Sequence, residues 1–177
     1  WVFLLWIQMK IKSLKLTTEL ELFCEVCKSK GYKNNESIKA MKFDFADFWG
    51  AWENGELIAV AGCHPLPEVG PNAVRVLFRG CQITDPYKGL NKHHMNSIGF
   101  RDILPEQIKH NQGKDLYITT NVYHDASGKM NRTHKAMRLL DKEGILSYTN
   151  DIELYFTLQS IWKVNIEEYM KVRSRYV

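Results

Sequence analysis

The sequence is short of cysteine and of net charge, and each shortage excludes a class of protein. Four cysteines in 177 residues are too few for a disulfide-stabilised scaffold. A net charge of only +4 does not indicate a dedicated nucleic-acid binder. The chain holds no repeat and no low-complexity tract, and its 45% hydrophobic content is typical of an ordinary globular protein. We therefore expect one soluble domain in the cytoplasm, where thiols stay reduced.

One C-x-x-C pattern is present, formed by Cys24 and Cys27 within ELELFCEVCKSKG. The segment is typical of a helix, so the two thiols should lie one turn apart on the same side. No second cysteine pair follows at metal-ligand spacing. We predict no metal site and a structural role for both cysteines, with a redox or metal role as the alternative.

The chain begins with the apolar segment WVFLLWIQ. Eight residues cannot span a membrane, and neither a basic region nor a small-residue cleavage site flanks them. Because MKIKSLKL follows and is typical of a natural start, we expect residues 1–8 to be an extension upstream of the true start. A short edge strand or a hydrophobic arm is the alternative. Residues 9–177 are expected to form a single domain with no membrane association.

Local patterns predict the elements of the first half. The alternation in KIKSLKL indicates a strand at about 10–16, followed by a helix that Gly31 ends. NESIKAMKF indicates a second, short helix. The Asn54-Gly55 pair lies between two apolar runs and predicts a hairpin.

The second half predicts strands at about 73–84 and 115–123, with a helix between them that kinks or restarts at Pro105. RTHKAMRLLDKEG indicates a helix ended by Gly144. ILSYTN and IELYFTLQSIWKV are predicted to be two closing strands around a turn at Asn150-Asp151. The aromatic stretch ELYFTLQSIW is a candidate edge for a homodimer.

The predicted order is therefore β-α-α-β-β-β-α-β-α-β-β. The crossover between the strands at 73–84 and 115–123 can form a right-handed parallel unit, and the hairpins add antiparallel pairs. The fold class is α/β: a single-domain, mixed, mostly antiparallel sheet flanked by helices.

This order resembles that of the GNAT superfamily of acyl-CoA N-acyltransferases over roughly residues 9–160. The most specific local match is MNRTHKAMRLLDKEGIL, which is similar to the family's fourth helix, with Asn131 at its start and Gly144-Ile145 at its end. The resemblance implies a sheet that opens between its fourth and fifth strands. It also implies acetyl-CoA or another acyl-CoA as co-substrate in that cleft.

The stretch DPYKGLNKHH occupies the position of the family's pyrophosphate loop, in a degenerate form. Lys88 stands where the family has arginine or glutamine, and Asn91 and His93 stand in small-residue places. A loop that enters a helix presents backbone N–H groups to an anion, whereas an ordinary helix-starting turn is the alternative. The cofactor-binding residues implied by the resemblance are Cys81, Gln82, Ile83, Lys88, Gly89, Leu90, Asn91, Lys92, His93 and Asn131.

Basic residues cluster in and beside the helix that the resemblance places next to the cofactor: Lys129, Arg132, His134, Lys135 and Arg138. Their positive charge would attract the phosphates of CoA. The alternative is that these residues form an ordinary solvated helix face. A nucleic-acid face is a weaker alternative, because no aromatic stacking platform accompanies these residues.

Acyl transfer to an amine needs a neutral nucleophile, a stabilised oxyanion and a proton donor for the leaving thiolate. Leu140 stands where the family has its donor tyrosine. We predict Tyr123 or His124 as the donor, with Ser127 as a further candidate, and His64 or Asp85 as the base. The predicted function is acyl-CoA-dependent N-acetyltransfer to an unidentified amine of a small molecule or protein. The alternative is a non-catalytic binding module with the same fold.

Overall fold

The computed structural model describes residues 9–15, 17–30, 46–81, 92–95, 97–122, 132–154 and 156–177. Within these ranges seven strands form one sheet: β1 (Lys10–Ser13), β2 (Asp47–Glu53), β3 (Glu56–Pro65), β4 (Ala73–Cys81), β5 (Asp115–Asn121), β6 (Leu146–Leu154) and β7 (Thr157–Val164). The described α-helices are α1 (Thr17–Ser29), α2 (Leu104–His110), α3 (Arg132–Lys142) and α4 (Ile166–Arg173). A 3₁₀ turn (Lys92–His94) and a π-helical turn (Gly99–Ile103) precede α2.

The spatial strand order is β1-β2-β3-β4-β5-β7-β6. β4 and β5 run parallel, and every other neighbouring pair among these strands is antiparallel. The predicted fold class, a mixed and mostly antiparallel sheet flanked by helices, is thus confirmed. β6 forms one edge of the sheet, but only Glu153 and Leu154 of the aromatic stretch proposed as a dimer edge lie in β6, whereas 157–162 lie in β7, an interior strand.

The hairpin between β2 and β3 turns at Asn54-Gly55, as predicted. Both residues have positive φ, 50° and 80°, which is the backbone that a two-residue type I′ turn requires. Asparagine tolerates this region better than most residues, and glycine adopts it without a steric penalty.

Apolar side chains form cores on both faces of the sheet. The larger core contains buried residues of α2, α3 and α4, whereas α1 packs on the opposite face. Cys24 and Cys27 are buried in the smaller core beside Leu20 and Phe23. Residues three apart lie on the same face of a helix, so the C-x-x-C spacing is explained by two cysteines that both face this core.

The turn predicted at Asn150-Asp151 is wrong, because β6 continues through both residues to Leu154. A bulge places Thr149 as an extra residue between the pairs Tyr148–Trp162 and Asn150–Ile161. The polar residues that suggested a turn are the solvent-exposed part of an edge strand. The chain reverses instead between Leu154 and Thr157, which pair with each other, and Phe156 in this reversal has φ 64°.

Two further findings concern helices. The helix changes at Pro105, where a kink or restart was predicted: the π-helical turn passes into α2 at Leu104, and the backbone stays helical across the change. α4 was not predicted, although Glu167 and Glu168 in its first turn and Lys171 and Arg173 in its last follow the helix-dipole preference. The short helix predicted at NESIKAMKF lies outside the described residues. No helix in the described part of the chain is long and apolar enough to cross a membrane.

Candidate functional site

The central strands β4 and β5 separate soon after they meet. They pair at three positions only: Ala73–Asp115, Val74–Leu116 and Arg75–Tyr117. β4 then continues to Cys81 and β5 to Asn121 without pairing with each other. The sheet is therefore open between the fourth and fifth strands, as the resemblance implied, and Arg75 and Tyr117 mark the vertex of the opening.

A bulge in β4 coincides with this vertex. Between the pairs Gly62–Phe78 and His64–Arg75, two residues of β4 face the single residue Cys63 of β3. A bulge bends its strand and increases the local twist. The extra residue therefore turns β4 away from β5 at the position where their pairing ends.

Both strands keep their outer neighbours beyond the vertex. β4 stays paired with β3 as far as Cys81, and β5 stays paired with β7 as far as Asn121. Their facing edges therefore carry backbone N–H and C=O groups that no other strand in the described part of the chain bonds. Unpaired strand edges offer hydrogen bonds to any extended group that enters between them. We call this opening, between 76–81 and 118–121, the splayed cleft.

Thr119 supplies an unsatisfied side-chain group in the same place. Its Oγ1 atom is buried and has no hydrogen-bond partner among the described residues. Thr119 lies on the part of β5 beyond the vertex, on the face away from α3. A buried hydroxyl without a partner is unfavourable, so this atom fits a ligand that donates or accepts a hydrogen bond there.

Polar side chains form a row across the sheet at the vertex. His64 of β3 pairs with Arg75, which pairs with Tyr117 of β5, which in turn pairs with Lys163 of β7. Because residues at paired positions share a face, this row runs along the closed end of the splayed cleft. Lys163 is also held by Asp115, 3.0 Å from its Nζ.

His64 is the one predicted proton-transfer residue among the described residues, and it is buried. Its Nδ1 lies 2.9 Å from the carbonyl oxygen of Pro65, so Nδ1 carries the proton and Nε2 the lone pair. Burial lowers the pKa of His64, and the charge of Arg75 lowers it further, against the opposing hydrogen bond to Pro65. The imidazole is therefore neutral at pH 7, the form that accepts a proton.

Cys63, opposite the bulge, has a buried thiol with a raised pKa. Burial is the largest cause that raises the pKa of its thiol, to about 11, and the hydrogen bond from Asn111 opposes it only in part. The reactive thiolate is therefore scarce at neutral pH.

A second polar network lines the α3 side of the splayed cleft, and sequence reasoning did not find it. Trp162 donates its indole N–H to Oγ1 of Thr120 over 2.8 Å, and the same oxygen lies 3.0 Å from Nδ1 of His134. The His134 and Trp162 rings pack edge to face at 5.5 Å. His134, grouped in the sequence with the phosphate-directed cations, thus contacts β5, whereas Lys135 and Arg138 are exposed. The sequence did hold one signal of this network. Thr120 lies two residues after Ile118 in a predicted strand, so its hydroxyl is on the same face as a core residue.

Leu140, at the position of the expected tyrosine, is fully buried in the large core. Its side chain packs in the same core as Val76 and Ile118. The helix itself ends as predicted, with Gly144 at φ 76°.

The structure places the imidazole of His93 inside the protein, whereas a contact from its backbone to a phosphate stays a prediction. Its imidazole is buried, with Nδ1 2.9 Å from the Tyr176 hydroxyl and Nε2 3.0 Å from the Glu143 carboxylate. Both ring nitrogens are therefore engaged inside the protein, and the ring cannot also donate to a phosphate.

The other predicted site residues divide by whether the structure describes them. Cys81 ends β4, and Lys92 begins the 3₁₀ turn. The remainder lie outside the described residues: Gln82, Ile83, Asp85, Lys88, Gly89, Leu90, Asn91, Tyr123, His124 and Asn131.

Comparison with known proteins identifies the fold. No protein-family model and no curated protein sequence matches the chain. Solved structures do match. A candidate GNAT-family acetyltransferase from Desulfovibrio desulfuricans has a TM-score of 0.58 at 12% identity, covering 89% of this chain and 98% of its own. The ribosomal-protein-S18-alanine N-acetyltransferase of Escherichia coli has a TM-score of 0.53 at 12% identity, covering 89% and 93%.

The aminoglycoside acetyltransferase AAC(6')-Ib, solved with coenzyme A and kanamycin, has a TM-score of 0.55 at 10% identity, covering 94% of this chain and 99% of its own. These identities are low, so the likeness is one of fold. The chain has the GNAT acyltransferase fold, as the sequence indicated.

Proposed function

We propose that this protein is an acyl-CoA-dependent N-acyltransferase that transfers an acetyl or other acyl group to an amine. The observation that carries the proposal is the splayed cleft. Two central strands that separate after three pairs, with a bulge at the vertex, leave two backbone edges facing one opening. A solved protein of this fold holds coenzyme A, which supports the same ligand class here.

The described residues fit such a co-substrate. The extended arm of CoA carries two amide groups, and the unpaired edges of β4 and β5 offer the matching donors and acceptors. The buried Oγ1 of Thr119 offers one more. Exposed Lys135 and Arg138 on α3 add positive charge for phosphates. We further propose that Lys88, Asn91 and Asn131 hold the pyrophosphate end.

A thioester supplies an activated acyl group and a thiolate leaving group. The amine must attack in its neutral form, so a base has to take its proton. His64 has the required neutral form and lies beside the vertex, and we propose it as a base that acts directly or through water. Asp85 stays an alternative base. Tyr123 and His124 are the proposed donors to the thiolate, since Leu140 is buried and cannot donate.

The second candidate function is a binding module that holds CoA without turnover. Leu140 favours this candidate, because a buried leucine at the family's donor position has no ionisable group that could protonate the thiolate. A thiolate of CoA leaves without full protonation, so this loss slows transfer rather than preventing it, and we favour the enzyme. The cytoplasm is the proposed location, where the buried thiols of Cys24, Cys27 and Cys63 stay reduced.

A thermal-shift titration with acetyl-CoA, CoA and desulfo-CoA tests the proposal. A ligand that binds only the folded state raises Tm by mass action. We expect a rise with all three, and a smaller rise for Lys88→Ala, Asn131→Ala and Thr119→Val. Lys28→Ala, an exposed lysine on α1, is the matched control and should respond like the wild type.

The absence of any shift at millimolar ligand defeats both candidate functions. A shift accompanied by acetyl transfer to a panel of primary amines supports the enzyme. A shift without turnover on any amine, including lysine-bearing peptides, favours the binding module.

A further inference from the structure

The C-terminal segment of the chain is bonded to the end of the candidate pyrophosphate loop and to the segment after it. We call α4 together with residues 174–176 the C-terminal brace. Its Arg173 donates from Nε to the carbonyl oxygen of Arg101 over 2.6 Å, and Tyr169 donates to the carbonyl oxygen of Phe100. Tyr176 bonds His93. Three side chains of the brace thus hold residues between 93 and 101.

His93 has a backbone that its residue type does not favour. Its φ is 59° and its ψ is 19°, and His94 follows with φ 55°. A left-handed conformation costs a non-glycine residue about 1–2 kcal/mol. Such strain persists where surrounding contacts fix the conformation, and here the buried imidazole is held at both nitrogens.

Three separate elements meet at this imidazole. The 3₁₀ turn supplies His93 itself, the brace supplies Tyr176, and the residue after α3 supplies Glu143. The carboxylate accepts from Nε2–H, and the tyrosine hydroxyl donates to Nδ1. The turn at the end of the candidate loop is therefore tied both to α3, which borders the splayed cleft, and to the C-terminal brace.

We infer that His93 is a positioning residue, and that the C-terminal brace fixes through it the 3₁₀ turn Lys92–His94, which carries the predicted cofactor-binding positions 92 and 93. The inference rests on the proposed function, since the turn matters for affinity only where CoA binds. It assigns to residues 166–176 a role in cofactor affinity, although none of them lies in the splayed cleft. Tyr176→Phe removes one hydroxyl from this assembly and leaves the ring in place.

Hydrogen exchange and CoA calorimetry on Tyr176→Phe test the inference together. We expect faster amide exchange in peptides covering residues 92–101, and CoA binding about 3- to 10-fold weaker, the range for one lost hydrogen bond. Arg175→Ala is the control, an exposed neighbour that should change neither readout.

Two substitutions of Glu143 distinguish the effect of its hydrogen bond to His93 from the effect of its negative charge on CoA binding. Glu143→Gln and Glu143→Leu both remove the negative charge, but only glutamine keeps an oxygen for Nε2–H of His93. We expect Glu143→Gln to bind CoA as tightly as the wild type or more tightly, and Glu143→Leu to bind it less tightly than Glu143→Gln. Equal affinities for these two variants would overturn the inference.

The remaining outcomes are distinct. Exchange unchanged by Tyr176→Phe overturns the inference, and so does faster exchange with unchanged CoA affinity. Wild-type protein that binds no CoA defeats the proposed function, and with it the positional role.

Discussion

Tyr169 donates its hydroxyl to the carbonyl oxygen of Phe100, an acceptor that Pro105 cannot serve. In the π-helical turn the N–H of Leu104 bonds the carbonyl of Gly99, five residues back. The next bond in that series would come from residue 105, which is a proline without an N–H. α4 thus supplies from a side chain the donor that the backbone lacks, and Arg173 of the same helix donates to the next carbonyl, that of Arg101.

The first prediction concerns this replacement. Tyr169→Phe leaves a buried carbonyl without a donor and should lower the free energy of unfolding by about 1–3 kcal/mol. In a Pro105→Ala background, which restores a backbone N–H, the same substitution should be less destabilising. Urea denaturation of the wild type, the two single variants and the double variant gives a double-mutant cycle. An equal loss in both backgrounds would show that the tyrosine does not substitute for the missing N–H.

The second prediction concerns the network beside the splayed cleft. Thr120→Val removes the acceptor of the buried Trp162 N–H and the partner of His134, and should destabilise by about 1–3 kcal/mol. Thr120→Ser keeps the hydroxyl and should recover most of that loss. If serine and valine prove equally destabilising, packing rather than hydrogen bonding explains the site.

The third prediction concerns the pH dependence of stability. Burial holds the pKa of His64 below its ordinary value of 6.5 in the folded state. Below pH 6.5 the unfolded chain therefore binds a proton that the folded chain does not, so this group makes stability fall as the pH falls. The loss in unfolding free energy from pH 7.5 to 5.5 should be smaller in His64→Gln. A loss as large as that of the wild type contradicts a neutral, buried His64.

The fourth prediction concerns the reversal between β6 and β7. Phe156 is 98% exposed and has φ 64°, so its ring gains no burial while its backbone is strained. Phe156→Asn should stabilise by roughly 1 kcal/mol and raise Tm by about 2–4 °C. Phe156→Ala removes the same ring but keeps the unfavourable backbone, and should gain little. A gain from alanine equal to that from asparagine would show that the ring, not the backbone, is the unfavourable element.

Most of the fold could be predicted because its signals are local. Asn54-Gly55 specifies a two-residue hairpin by backbone chemistry alone, and Gly144 ends α3 for the same reason. The predicted order of strands and helices is compatible with few sheet topologies. The parallel pair β4 and β5, joined by a helical crossover, is a unit that the preference for right-handed crossovers favours.

The candidate site was less predictable because its geometry depends on distant residues. The sheet opens because β4 and β5 pair at only three positions and β4 carries a bulge where this pairing ends. No local sequence pattern encodes the position at which the pairing of two strands stops. His93 was predicted only as a cofactor-binding residue of a loop, since the side-chain partners Glu143 and Tyr176 lie 50 and 83 residues away in the chain. Thr120 and His134 were likewise invisible as a pair, because the link through Trp162 is tertiary.

Hydrogen exchange with and without saturating CoA tests the central claim most directly. If the splayed cleft holds the co-substrate, amides in peptides covering β4 residues 76–81 and β5 residues 118–121 should exchange more slowly with CoA present, because the unpaired strand edges gain hydrogen bonds. Peptides from α1 should not change. Protection confined to other regions, or no protection at a CoA concentration that raises Tm, would contradict the claim that this cleft is the cofactor site.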